Sequence, residues 1–219
     1  MVNTTTPAEQ RVLLKNISWE LFESLLVEMG QRSTRLAYHQ GKLELMTPLW
    51  EHENRNRLID RLILTLIEEL NFEYCPGGSI TLKRSKRFAG KEPDSCYYIQ
   101  NEARVRGKKE IDLTQEPPPD LAVEIDITSS SLNQLSIYAD LGVPEVWRYN
   151  GSRLQIYQLG QGEYVECDRS PTFSLLSASR VNEFLEQCQT LGVTTSVRQL
   201  REWVRNHLMS NPESRELER

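Results

Sequence analysis

Cysteine is sparse and scattered in this chain. Cys75, Cys96, Cys167 and Cys188 form no C-x-x-C pair, which leaves no dithiol motif and points to free thiols in a reducing, cytoplasmic setting. Histidine is rarer still. His39, His52 and His207 sit in stretches with no nucleophile motif, which argues against a cysteine or Ser-His hydrolase. No apolar run approaches the ~20 residues needed to span a membrane. The opening Met-Val-Asn-Thr-Thr-Thr-Pro lacks the charged start and apolar core of a signal peptide. There is no internal repeat and no low-complexity tract. Positive charge is not in excess either. With a net charge of -5, any contact with nucleic acid must come from a local basic patch.

What is present fits one soluble domain. The 219 residues are 38% hydrophobic and 26% charged, an ordinary balance. The organising stretch is 117–127. Leu121, Val123, Ile125 and Ile127 alternate with Ala122, Glu124 and Asp126, so one strand face is apolar and the other carries two carboxylates. A carboxylate in a low-dielectric core costs several kcal/mol unless cations or hydrogen bonds compensate. The alternative is an edge strand with a wet face.

Residues 1–16 read as a flexible lead-in, 17–209 as a single domain and 210–219 as a charged tail. Ser18 caps a helix ending at Gly30, and 34–39 and 42–46 form a hairpin around Gln40-Gly41. Glu44, in that hairpin, reads as a solvated strand residue. A long helix spans 50–71, with Glu51, His52 and Glu53 in its first turn. Acidic residues there suit the helix dipole; the functional reading makes Glu53 or His52 an outer ligand of an active site. Strands follow at 79–83 and 92–100. Basic clusters (Lys83, Arg84, Lys86, Arg87, Lys91, then Arg104, Arg106, Lys108, Lys109) are solvated surface or a polyanion path. A helix over 129–141 ends at Gly142 and a strand follows at 143–149. That strand–helix–strand order is a βαβ unit with a parallel pair in a mixed sheet. A hairpin over 152–167 and helices at 178–191 and 196–209 complete the chain.

Asp94 and Glu124 fall on neighbouring strands and can converge. Two such carboxylates repel unless a divalent cation lies between them, and hard oxygen ligands suit Mg²⁺ or Mn²⁺. A metal so held lowers the pKa of a bound water and stabilises charge on a phosphodiester.

Three segments carry a resemblance: Glu92-Pro-Asp94, Pro118-Pro-Asp-Leu-Ala-Val-Glu124-Ile, and Tyr138-Ala-Asp-Leu-Gly-Val-Pro-Glu-Val-Trp147. They are similar to the hallmark segments of the Uma-two endonuclease family, within the PD-(D/E)XK restriction-endonuclease-like superfamily. The resemblance runs from about residue 17 to 160 and is strongest over 92–149. It implies an α/β restriction-endonuclease-like core, a mixed β-sheet flanked by helices, with an N-terminal helix and hairpin extension and C-terminal helices. It also implies a Mg²⁺- or Mn²⁺-dependent endodeoxyribonuclease, with Asp94 and Glu124 as metal ligands and DNA as partner. The superfamily's lysine position holds Asp126, and the family's, four residues before Tyr138, holds Gln134. Three outcomes follow: Gln134 positions the water in place of a lysine, another cation such as Lys91 reaches in, or catalysis is weak or lost. Asp126 is a third carboxylate or solvated. Trp147 and the late helices offer apolar surface for a homodimer. The alternatives are a catalytically silent module that binds nucleic acid or protein, and a purely structural domain.

Overall fold

The computed structural model describes residues 9–30, 32–128 and 130–210. Residues 1–8 of the expected lead-in and 211–219 of the expected tail lie outside them. In chain order the elements are β1 (Glu9–Lys15), α1 (Trp19–Met29), β2 (Arg35–His39), β3 (Lys42–Pro48), α2 (Trp50–Leu70), β4 (Cys75–Pro76), β5 (Leu82–Arg84), β6 (Ala89–Lys91) and β7 (Ser95–Tyr98). They continue with α3 (Glu102–Val105), β8 (Leu121–Ile125), α4 (Gln134–Leu141), β9 (Glu145–Tyr149), β10 (Leu154–Gly160), β11 (Glu163–Cys167), α5 (Ala178–Thr190) and α6 (Val193–Ser210).

The strands form two sheets. One has the order β11-β10-β9-β8-β7-β4 and is mixed, because β8 and β9 run parallel across the expected βαβ unit. Its face built from Tyr97, Leu121, Val123, Ile125, Trp147 and Ile156 packs under α2, α5 and α6 through Leu62, Ile63, Leu66, Phe184, Leu200 and Val204. At ~25 cal/mol per Å² of apolar surface removed from water, this layer is the main stabilising mass of the molecule. Trp147 is wholly buried there, and the apolar faces of α5 and α6 are turned inward. The surfaces on which a homodimer was expected are therefore used inside the fold.

The second sheet corrects the reading of the N-terminus. The expected hairpin is present as β2 and β3, but residues 9–15 of the lead-in form a strand, and five antiparallel strands pair in the order β1-β3-β2-β6-β5. β1 inverts the usual pattern. Val12 and Leu14 face solvent at 56% and 39% exposure while Glu9 is buried, so no apolar alternation marks it as a strand. α1 covers the outer face of this sheet, with Trp19 and Phe22 against Leu36, Tyr38 and Leu43. The inner face meets α4 and the mixed sheet through Ala37, Leu82, Ala89, Ala122, Ile137 and Val146.

Alternate strand residues share a face. The inner face of the second sheet thus carries Glu9 and Arg11, Arg35 and Ala37, Glu44, and Ala89 and Lys91, opposite Ala122 and Glu124 of β8. The packing of α1 sets the position of β6. A Cβ on Gly90 would lie 2.6 Å from Cε1 and Cζ of the buried Phe22 ring. Gly90→Ala should cost about 1–3 kcal/mol through this overlap, read as a lower denaturation midpoint. An unchanged midpoint would mean that α1 is not clamped on β6.

Candidate active site

Register brings the first two candidates together. Ser95 of β7 pairs with Val123 of β8, so Asp94, one step earlier, comes opposite Glu124. Pro93 keeps the chain extended ahead of Asp94. Asp94 Oδ2 accepts a hydrogen bond from the Ile125 amide at 2.7 Å, which fixes the carboxylate at the end of β8. Asp94 is 4% exposed and Glu124 1%. These are buried carboxylates, not a wet strand face.

Cations surround them. Lys91 Nζ donates to Glu124 Oε1 at 2.8 Å, and Tyr138 Oη donates to Oε2 at 2.8 Å. Arg35 Nε lies 2.9 Å from Asp94 Oδ1, an ion-pair distance, but it is not aimed for a hydrogen bond, and Oδ1 has no donor. His52 Nε2 lies 3.4 Å from Asp94 Oδ2 and 3.5 Å from Glu9 Oε2. Burial pushes the Asp94 carboxyl up, but His52, Arg35 and Lys91 together hold it below its ordinary value. Glu124 is raised: burial dominates, Lys91 opposes it, and the Asp94 charge adds to it. Burial would lower the His52 pKa, yet Asp94, Glu9 and Glu124 lift it above the ordinary histidine value. Burial and the Glu124 charge push the Tyr138 phenol far up, so it remains a donor.

A second charge group adjoins the first. Arg11 reaches Glu9 Oε1 at 3.0 Å, Glu44 Oε1 at 2.7 Å and Asp126 Oδ1 at 3.3 Å. Arg148 Nε holds Asp126 Oδ2 at 3.2 Å. The amides of Ser130 and Ser131 donate to Asp126 and Glu44 at 2.8 Å each. Those N–H groups are engaged by carboxylates, so α4 begins at its Asn133 cap, later than the expected 129. Ser129 itself lies outside the described residues. Glu44, read as solvated, is 1% exposed, and Asp126 is 2% exposed. The reading of Glu44 is corrected, and of the two readings of Asp126 the solvated one is excluded, because a strand lying between two covered layers has no wet face.

Gln134 belongs to this second group. Its Nε2 donates to Glu44 Oε1 at 3.2 Å and to Ser130 Oγ, while its Oε1 is buried with no hydrogen bond. Among the described residues no hydrogen bond joins Gln134 to Glu124. Glu53 accepts a hydrogen bond from Arg35 at 3.1 Å and lies 3.8 Å from Arg57, so its link to Asp94 runs through Arg35. Sequence reasoning missed Glu9, Arg11, Arg35 and Glu44. The one available signal was charge placed in register within short strands, which looks the same on a solvated edge. The basic clusters are partly paired locally, Lys83 with Glu23, Arg87 with Asp140, Arg106 with Glu102 and Lys108 with Glu116.

Residues 19–191 match the Uma2 family, whose description reads "Putative restriction endonuclease". The chain belongs to the Uma2 family. A solved structure of "a putative nuclease belonging to DUF820" from Anabaena variabilis shares 14% identity, with a TM-score of 0.49, over 72% of this chain and 95% of that one. No curated protein matches. This Uma2 protein thus has the α/β, restriction-endonuclease-like architecture that its segments implied. Among the described residues no helix is long and apolar enough to cross a membrane.

Such nucleases generally use a divalent cation. Among the described residues no group of three or more His, Cys, Asp or Glu is arranged to hold one. Two carboxylates suffice for Mg²⁺, which keeps several waters and takes its other ligands from substrate phosphate. The donor set here fits that pattern. Asp94 Oδ1 is buried without a donor, and each Glu124 oxygen takes one hydrogen bond, which leaves lone pairs on both residues.

The raised His52 pKa carries a pH signature. A histidine whose folded pKa is raised contributes stability that is full below its unfolded pKa, near 6.5, and is lost as pH rises through the folded value. The metal-free protein should therefore lose stability above about pH 6.5. His52→Gln should flatten that decline in denaturation midpoints measured across pH. An identical slope in the variant would assign the pH dependence to another group.

Proposed function

We propose that this protein is a divalent-metal-dependent endonuclease that hydrolyses DNA phosphodiester bonds, with Asp94 and Glu124 holding the metal and Lys91 supplying the catalytic cation. One observation carries the reading: Lys91 Nζ sits 2.8 Å from Glu124 Oε1, inside the same buried layer as Asp94. The positive charge that Gln134 cannot give comes from β6, across the inter-sheet space. Mg²⁺ or Mn²⁺, when bound, supplies an acidified water and charge stabilisation.

The chain's own residues do the rest. Glu124 is held by Tyr138 and Lys91 so that its remaining lone pairs stay in place beside Asp94. The Ile125 amide fixes Asp94. The Lys91 ammonium is placed to orient an attacking water and to offset charge building on the phosphate, and burial strengthens that effect. Gln134 acts at one remove, securing Glu44 and Ser130 at the start of α4.

Plasmid nicking with Mg²⁺ or Mn²⁺ tests this. Asp94→Asn and Glu124→Gln should abolish cutting. Lys91→Met should lower the rate about 10²–10³-fold and Gln134→Ala less than about tenfold, in protein confirmed folded by circular dichroism. A wild type inert with both metals would leave a silent nucleic-acid- or protein-binding module. A larger loss in Gln134→Ala than in Lys91→Met would return the catalytic role to the amide.

A further inference from the structure

Asp94, Glu124 and Lys91 are each at most 4% exposed, so substrate needs a way in. A groove of about 600 Å³, lined by residues that include Arg32, Ser33, Thr34, Arg35, Glu53 and Glu92, is linked to Asp94 through Arg35. That volume accommodates a nucleotide-sized group. Arg35 spans from its wall to the buried carboxylates. Its Nη2 bonds Glu53, whose side chain is 36% exposed, while its Nε faces Asp94, whose side chain is 1% exposed. The contact with Asp94 is unfinished on both sides, because neither Arg35 Nε nor Asp94 Oδ1 has a hydrogen-bond partner. A guanidinium fork matches two phosphate oxygens better than one misaligned carboxylate oxygen.

We propose that Arg35 gates the metal-binding carboxylates: a phosphodiester entering the groove draws its guanidinium off Asp94, so nucleic acid and divalent cation bind cooperatively. The proposal rests on the nuclease reading above. At rest, Arg35 places positive charge on the oxygen that a hard cation needs. With phosphate in the groove, the guanidinium pairs with substrate and that oxygen is released. Because coupling between two ligands is reciprocal, each then raises the affinity of the other. Glu53 is the outer anchor that keeps the gate from resting wholly on Asp94.

Calorimetric titration of Mn²⁺, with and without a short phosphorothioate DNA duplex, tests the gate. The duplex should raise the Mn²⁺ affinity of the wild type. Arg35→Gln should bind Mn²⁺ alone about tenfold tighter and gain nothing further from the duplex. Glu53→Gln, at a half-exposed site that folding tolerates, should bind Mn²⁺ more weakly than wild type. A merely structural arginine would not shift the two variants in opposite directions. If Asp94→Asn loses Mn²⁺ but Glu53→Gln and Arg35→Gln match the wild type, the gate is refuted and the metal site stands. If the wild type binds no Mn²⁺ with or without the duplex, and Arg35→Gln binds none either, the metal reading and the gate fall together.

Discussion

Charge pairing in the layer between the two sheets is the constraint on which the structure depends. Five carboxylates meet there, Glu9, Glu44, Asp94, Glu124 and Asp126, against four permanent cations, Arg11, Arg35, Lys91 and Arg148. His52 is lodged between Asp94 and Glu9, and their charges raise its pKa against the effect of burial. An unpaired buried ion costs several kcal/mol, so none of these groups is independent of its neighbours. The pairing also fixes geometry. Four strands of one sheet (β1, β2, β3 and β6) and two of the other (β8 and β9) are held in a single relative placement by contacts between side chains that face one another.

The backbone serves this layer by parity. Odd-numbered residues of β1 and β2 turn inward, and so does Glu44, the residue that pairs across to both strands. On β8 the opposite parity sends Leu121, Val123 and Ile125 to the helices and Glu124 to the charges. A one-residue slip in β2 or β8 would move a charge into an apolar layer and a leucine into the polar one. The apolar layer under α2, α5 and α6 and the ionic layer under α4 are thus two faces of one register.

Much of this was legible in the sequence. The β8 alternation, the βαβ link through Gly142 and the helical stripes all depend on local periodicity, and each element lies where the pattern puts it, within a few residues. Asp94 and Glu124 were legible because strand neighbours in sequence are neighbours in space. Glu44 was misread, and Asp126 left open, because alternation cannot tell a solvated face from one covered by a second sheet. Lys91 was visible only as one member of a basic cluster. Its contact with Glu124 spans 33 residues and depends on β6 pairing with β2, which no local pattern encodes. β1 was hidden by its inverted pattern, with valine and leucine outside and glutamate and arginine inside.

That inverted strand separates two boundaries that are easily equated. The family match begins at residue 19, but the folded unit already needs Glu9 and Arg11. A piece trimmed to the matched region would keep every hallmark segment and still leave Glu44 and Asp126 without Arg11, and His52 without Glu9. Such a fragment would carry the hallmark segments on a polar layer whose buried Glu44 has lost its closest cation. For proteins whose chemistry lies between two sheets, the edge strand that closes the charge pattern is part of the domain, even where its sequence carries no family signature.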